Sequence, residues 1–391
     1  MRNREIKECG TYFLISLLIY IAQMFNLFRK KKEEKPKGSQ YLSLKIREVV
    51  RETPDTVTLF FEQPEPYLDY KAGQFLTVIL DIDGKEVRRS YSLCTSPFMD
   101  PHPGITIKRV KDGLVSNFLN DKMFPGKTIT ILKPMGNFTT DLHSKNRRHF
   151  TMIAAGSGIT PVMGIIKSLL VNEPESKITL LYCSRSEDQI IFKKPLEDLQ
   201  GKYPQLDVVH NLTQPSDSWK GLRGRIDAEK IKEVLSTRAY PEAESKKFYL
   251  CGPEALMATA KDTLLAIGER KEDIIQESFY TSASEDAGDP TAQGVGEVPE
   301  LARTVLVMLE GQEYSFEVTP DKTILEAGLD EDLDMPYSCQ SGLCTACMGK
   351  LVSGEVKMDE DAGLSESEKE EGYILCCVSR PMSGDVKIAI E

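Results

Sequence analysis

The chain has 391 residues, nine of them cysteine, and a formal charge of −11. That length exceeds what one hydrophobic core usually serves and implies two to four domains. The acidic balance argues against a nucleic-acid partner, and the scattered cysteines show no disulfide-like pattern, which points to a reducing compartment. The charge is uneven: from Leu301 to Glu391 there are 19 Asp or Glu against 7 Lys or Arg, a net of −12 that leaves the preceding residues at +1. An acidic module therefore sits on a nearly neutral body.

Gly10 to Phe28 is nineteen residues without a charge. As a helix it spans ~28 Å, close to the ~30 Å hydrocarbon thickness of a bilayer. Arg29, Lys30, Lys31 and Lys32 follow with no small-residue cleavage site before them, so an uncleaved anchor is expected rather than a signal peptide. The basic flank is heavier here than around Arg2, Arg4 and Lys7, and the positive-inside rule then places the body in the cytoplasm. Residues 1–40 are read as a membrane anchor and basic linker of a single-pass protein; the alternative is an interfacial helix or an apolar tail.

Residues 41–143 carry short alternating or β-branched runs at Leu42–Val50, Thr56–Phe61, Phe75–Ile82, Ile105–Val110 and Thr128–Ile131, separated by turns such as Asp83-Gly84 and Pro125-Gly126. Many closely spaced strands with one helix predict an antiparallel β-barrel. Within it stand Arg89-Ser-Tyr91-Ser92, then Ile107-Lys108-Arg109, then Gly113-Leu114-Val115-Ser116, a glycine turn that opens the helix. Together these motifs resemble the ferredoxin–NADP reductase superfamily. The resemblance implies FAD rather than FMN, with Arg89 on the pyrophosphate, Tyr91 packed on the isoalloxazine ring and Ser92 near its reactive nitrogen. A guanidinium suits a bidentate phosphate, an aromatic face suits a planar ring, and N–H groups at a helix start suit a second phosphate contact.

Residues 144–280 change to strand and helix in alternation, the pattern of an α/β domain with a parallel sheet. A buried-strand run, Phe150 to Ala155, leads through Gly156-Ser-Gly158-Ile-Thr160-Pro161 into a helix, Val162–Leu170, where glycines allow a pyrophosphate close to the backbone. A second strand, Ile178–Tyr182, ends at Cys183-Ser184-Arg185, and a third ends at Cys251-Gly252-Pro253. The last resembles the same superfamily's motif beside the nicotinamide ring, and the missing G-x-G-x-x-G argues against a standard Rossmann dehydrogenase. Ser184 and Arg185 stand where the adenosine ribose is expected. An arginine there binds a 2′-phosphate or stacks on adenine, so NADPH is expected over NADH. Glu277, in Gln276-Glu-Ser-Phe279, resembles the superfamily's edge near the flavin; Tyr91, Ser92, Cys251 and Glu277 are the expected catalytic set.

Residues 281–300 are small, acidic and aperiodic, a linker with an r.m.s. span of roughly 25 Å. In residues 301–391, a hairpin around Glu310-Gly-Gln312 and a helix at Thr323–Leu329 precede Cys339-x4-Cys344-x2-Cys347, with Cys377 thirty positions later. This is the plant-type spacing for a [2Fe–2S] cluster. Cys376 is one position short of the usual spacing and is read as a packed neutral thiol. A zinc site is the alternative, and its paired C-x2-C signature is present only once. The segment resembles the plant-type ferredoxin β-grasp fold.

The module order of flavin, nicotinamide and ferredoxin resembles the class I oxygenase reductases, among them those of the phenylacetyl-CoA epoxidase type. It implies an NAD(P)H-dependent oxidoreductase that passes electrons through FAD and [2Fe–2S] to a terminal oxygenase, hydroxylase or desaturase. An anchor favours a membrane-bound acceptor. The four histidines, His102, His143, His149 and His210, lack di-iron ligand spacing, so oxygen activation belongs to a partner. Two other readings are a respiratory NADH–quinone reductase flavin subunit, whose ferredoxin module comes first, and a non-enzymatic electron-carrier or interaction protein.

Overall fold

The computed structural model describes residues 40–279, 301–360, 363–364 and 366–390. The expected membrane segment Gly10–Phe28 and the 281–300 linker lie outside the described residues. Among the described residues, no helix is long and apolar enough to cross a membrane.

The first module holds β1 (Tyr41–Thr53), β2 (Thr56–Phe61), β3 (Phe75–Ile82), β4 (Lys85–Ser92), β5 (Gly104–Lys108) and β6 (Thr128–Leu132), with α1 (Leu114–Lys122) between the last two strands. The strands form one antiparallel sheet in the order β4-β3-β6-β1-β2-β5. A bridge between Leu93 and Ile105 joins its two edges into a barrel. Leu44, Ile46, Val57, Leu59, Leu76, Val78, Ile105 and Ile131 fill it. Asp83 and Gly84 both take positive φ, 55° and 79°, the two-residue turn whose twist matches a hairpin. That turn fixes the register of β3 on β4, pairing Val78 with Arg89 and Leu76 with Tyr91.

The second module comprises β7 (Arg148–Ala155), α2 (Ile159–Asn172), β8 (Lys177–Ser184), α3 (Lys193–Lys202), β9 (Leu206–Leu212), β10 (Leu222–Arg223), α4 (Ala228–Thr237), β11 (Ser245–Gly252), α5 (Glu254–Ala266) and β12 (Ile274–Ser278). Its sheet, β10-β9-β8-β7-β11-β12, is parallel throughout. Strand order reverses between β7 and β11, and the carboxyl ends of strands flanking such a switch point are where α/β sheets bind ligands.

The third module holds β13 (Arg303–Leu309), β14 (Gln312–Val318), α6 (Ile324–Asp330), β15 (Met348–Ser353), β16 (Val356–Met358), α7 (Glu366–Glu370), β17 (Tyr373–Leu375), β18 (Ser379–Pro381) and β19 (Lys387–Ile390). The sheet order β14-β13-β19-β15-β17, with β13 and β19 parallel, is the β-grasp arrangement. Thr323 caps α6 reciprocally with Glu326.

The modules meet in two different ways. Ala72, Cys94 and Phe138 of the barrel belong to the same buried cluster as Phe150, Ile159 and Tyr249 of the parallel-sheet module. That seam is reinforced by Lys167 on Asp100 at 2.9 and 3.0 Å and by a Ser96–Ser168 hydroxyl pair at 2.8 Å. The β-grasp core, from Val305 to Ile390, is self-contained. It meets the barrel through polar contacts: Tyr41 to Asp334, Arg88 over Tyr337, Ser90 to Ser338 and Asn137 to Glu368.

Candidate functional site

A cleft of about 260 Å³ opens where the three modules converge. Arg89, Ser90, Tyr91 and Ser92 from β4 form one wall, and Gly113 to Ser116 at the start of α1 form another. Ser157 and Thr160 contribute from the second module, and Ser338, Cys339, Ser341, Leu343 and Cys344 from the third. Val110 N–H donates to Ser116 Oγ at 3.0 Å, and Asn117 Nδ2 donates to Gly113 O at 2.7 Å, which holds the glycine turn against the helix. A start with no side-chain cap leaves the first N–H groups of α1 available to an anion. A guanidinium, an aromatic ring and a helix start around one cleft fit a flavin nucleotide.

The Ile107-Lys108-Arg109 run, also expected at the flavin, divides between the core, the cleft and the surface. Ile107 is fully buried in the barrel core. Arg109 turns away to Asp121 and to Asn117 Oδ1, the latter at 3.2 Å. Lys108 does line the cleft, 3.7 Å from Asp55.

At the switch point, Gly158 lies so close to Cys251 that a Cβ would sit 2.1 Å from the Cys251 carbonyl oxygen. Gly156 adopts φ 55°, so the turn after β7 needs glycine at both positions for separate reasons. Thr160 Oγ1 donates to Ser157 O at 2.9 Å, and Pro161 is buried in the first turn of α2. Gly252 and Pro253 lead directly from β11 into α5. Ser184 and Arg185 end β8; Ser184 is buried, with an Oγ that has no hydrogen-bond partner, and Arg185 is exposed. The carboxyl ends of β7, β8 and β11 thus carry the residues expected to hold a nicotinamide nucleotide.

Cys251 and Glu277 are neighbours across β11 and β12, and Ser92 Oγ donates to Glu277 Oε2 at 3.2 Å. Three residues from three distant stretches are so brought together. Loss of hydration pushes the Glu277 carboxyl up to about 8, against a smaller lowering by the Ser92 hydrogen bond. Burial, then the Glu277 charge, raises the Cys251 thiol well above its ordinary value, so it stays protonated at neutral pH. Burial likewise raises Tyr91.

The four spaced cysteines converge. Cys339 lies within hydrogen-bonding reach of Cys344 and Cys377, and Cys377 of Cys347. Hydrogen bonds from Cys344 and Cys377 pull the Cys339 thiol far down, and the same contacts push its partners up. Ser341 N–H faces Cys339 Sγ at 3.4 Å. The Ser341 hydroxyl is buried with no partner. Cys376 is completely buried, and its N–H donates to Cys347 O at 3.1 Å. Among the described residues no group of three or more His, Cys, Asp or Glu is set to hold a single metal ion. Thiols linked from Cys344 through Cys339 and Cys377 to Cys347, with the Ser341 N–H on Cys339, fit a polynuclear iron–sulfur core, whose sulfides also accept hydrogen bonds.

Sequence reasoning missed Arg88, Tyr337 and Ser338, which form the contact between the barrel and the cysteine loop. A second arginine beside Arg89 was the available signal.

Models of known families agree with this division. An oxidoreductase FAD-binding domain matches residues 43–140, an oxidoreductase NAD-binding domain 152–262, and a 2Fe-2S iron-sulfur cluster binding domain 307–382. The chain is 33% identical to one of the subunits of the 1,2-phenylacetyl-CoA epoxidase of Escherichia coli (strain K12), over 88% of this chain and 96% of that protein. It is 34% identical to the ferredoxin reductase component of the 3-ketosteroid-9-alpha-monooxygenase of Rhodococcus rhodochrous, over 91% and 98%. Among solved structures, phthalate dioxygenase reductase shares the fold with TM-score 0.54 and 24% identity, over 90% of this chain and 98% of that one. An intact type IV self-sufficient cytochrome P450 monooxygenase shares it with TM-score 0.65 and 21% identity, over 92% of this chain and 43% of that one.

Proposed function

This chain belongs to the family of FAD- and [2Fe–2S]-containing reductase components of oxygenase systems, and we propose that it is an NADPH-preferring donor to a membrane-bound oxygenase, hydroxylase or desaturase. The observation that carries the relay is the single cleft shared by Arg89–Ser92 and by Cys339 and Cys344. Bound FAD would supply the exchange between the electron pair of a reduced nicotinamide and the single electrons that a [2Fe–2S] centre takes.

The protein's own groups position and insulate. Arg89 and the N–H groups of Leu114 to Ser116 hold phosphates. Tyr91 covers a planar ring, and Ser92 offers a hydroxyl beside it. The Gly156–Pro161 turn and Cys251-Gly252-Pro253 bring the nicotinamide to the same cleft, with the Cys251 thiol neutral and Glu277 holding or releasing a proton on the Ser92 hydroxyl side. Cys339, Cys344, Cys347 and Cys377 would ligate the cluster, and of these Cys339 and Cys344 line the cleft.

NADPH preference is argued from Arg185, exposed at the end of β8 where a 2′-phosphate would meet a guanidinium. The membrane is argued from Gly10–Phe28 and the basic residues after it, which favour a single pass with the catalytic modules in the cytoplasm. The test is purification of the full-length chain from native membranes in mild detergent, with the co-purifying proteins identified. Recovery of a histidine-rich membrane oxygenase or desaturase supports the reading. Recovery in the soluble fraction, or with respiratory subunits, refutes the proposed destination.

A further inference from the structure

Two of the side chains that join the β-grasp module to the barrel, Arg88 and Tyr337, lie outside the lining of the cleft. Arg88 is 9% exposed, and its guanidinium lies 3.9 Å from the centre of the Tyr337 ring. Its Nε donates to Glu86 Oε1 at 2.9 Å and its Nη2 to Tyr41 Oη at 3.2 Å, while Nη1 is buried with no hydrogen-bond partner. Tyr41 Oη in turn donates to Asp334 Oδ1 at 2.5 Å. Arg88 and Ser90 are two apart on β4 and so project from one face of the strand; the first meets Tyr337 and the second meets Ser338. Those two residues run directly into Cys339.

We propose that Arg88 and Tyr337 form a latch, a pair of positioning residues that docks the β-grasp module so that the Cys339 loop faces the flavin cleft. The setting gives this one contact its weight. The barrel and the parallel-sheet module share a continuous apolar core, whereas the β-grasp core is closed on itself and meets the barrel through polar groups. A polar seam of a few contacts docks reversibly, and a cation–π pair whose guanidinium is largely desolvated contributes more than an exposed one. Electron passage falls steeply with separation, so undocking slows delivery to the cluster without touching nicotinamide oxidation.

The inference rests on the relay described above, and the test separates the two. Anaerobic mixing of the holoprotein with NADPH follows flavin bleaching and cluster reduction as separate phases, and hydrogen–deuterium exchange reads peptides covering residues 333–344. Arg88→Met and Tyr337→Leu are expected to slow cluster reduction about tenfold, the loss of one desolvated cation–π contact. They are also expected to speed exchange over 333–344 several-fold and to leave flavin bleaching at the wild-type rate. Tyr337→Phe keeps the ring and is expected to keep the wild-type rates. Should Arg88→Met fail to fold, Tyr337→Leu, on the other module, carries the same prediction. Unchanged cluster reduction in both variants, or flavin bleaching slowed in the same proportion, overturns the latch. A wild-type protein whose cluster stays oxidised while the flavin is bleached overturns the relay itself.

Discussion

Ser90 donates a hydrogen bond through its hydroxyl to the Ser338 hydroxyl at 2.9 Å, joining the residue before Tyr91 to the residue before Cys339. Two stretches 248 residues apart, one suited to a flavin and one to an iron–sulfur cluster, are thereby neighbours in space. The relay depends on that adjacency, and the consequences can be measured one group at a time.

Replacing Cys344 by serine removes a thiolate from the ring on the side that faces the cleft. Cluster-dependent reduction of a one-electron protein acceptor is expected to fall at least 100-fold. Reduction of ferricyanide, which draws on the flavin directly, is expected to stay within about twofold of wild type. Loss of both activities together would show that the cysteine loop shapes the flavin site as well.

The Glu277 carboxyl is raised to about 8 by burial. It is neutral below that pH and charged above it, so flavin reduction by NADPH is expected to show a break near pH 8 that Glu277→Gln removes. The stability effect has a definite sign. The unfolded chain gives up this proton near pH 4.5 and the folded chain holds it to about 8, so folded stability falls as pH rises through that window. Glu277→Gln is expected to raise the melting temperature at pH 9 and leave it unchanged at pH 4. Thermal melts at the two pH values check this.

Gly158→Ala would put a methyl 2.1 Å from the Cys251 carbonyl oxygen. The atoms that the Cβ would meet are all backbone, so the turn after β7 must move away from β11. A destabilisation of about 1–3 kcal/mol is expected from such overpacking, together with at least a tenfold rise in KM for NADPH. Denaturant titration and steady-state kinetics read the two effects separately.

Arg185→Ser removes the exposed guanidinium at the end of β8. Loss of a charge-assisted contact to a 2′-phosphate is expected to lower kcat/KM for NADPH by about 10- to 100-fold and to leave NADH unaffected. An equal loss with both nucleotides would mean that Arg185 meets the shared adenosine instead.

Local pattern was legible where a feature is confined to one stretch. The hairpin at Glu310-Gly311 is signalled by Gly311, which takes φ 78° without strain, and the cysteine spacing stands in a single segment. The barrel, parallel-sheet and β-grasp classes follow from the change in periodicity along the chain. Partnerships across the fold were not legible. Nothing near Arg109 in sequence shows that it pairs with Asp121, because that contact needs α1 packed beside β5. Ile107 stands within a family-like run, yet strand alternation turns it into the barrel core. Ser92 and Glu277, separated by 185 residues, were placed in one set by the resemblance alone; their contact exists because the barrel docks against the carboxyl edge of β12. Arg88 reads as one more charge on a strand until Tyr337 covers it.

The most direct test of the relay is the concentration dependence of cluster reduction. Wild-type holoprotein is mixed anaerobically with NADPH over a 100-fold range of protein concentration, and the reduced cluster is followed by electron paramagnetic resonance of freeze-quenched samples. A cleft shared by Arg89–Ser92 and Cys339 within one molecule predicts a first-order rate that does not change with protein concentration. A rate that rises in proportion to protein concentration would mean that electrons cross between molecules, and the account of this cleft would be wrong.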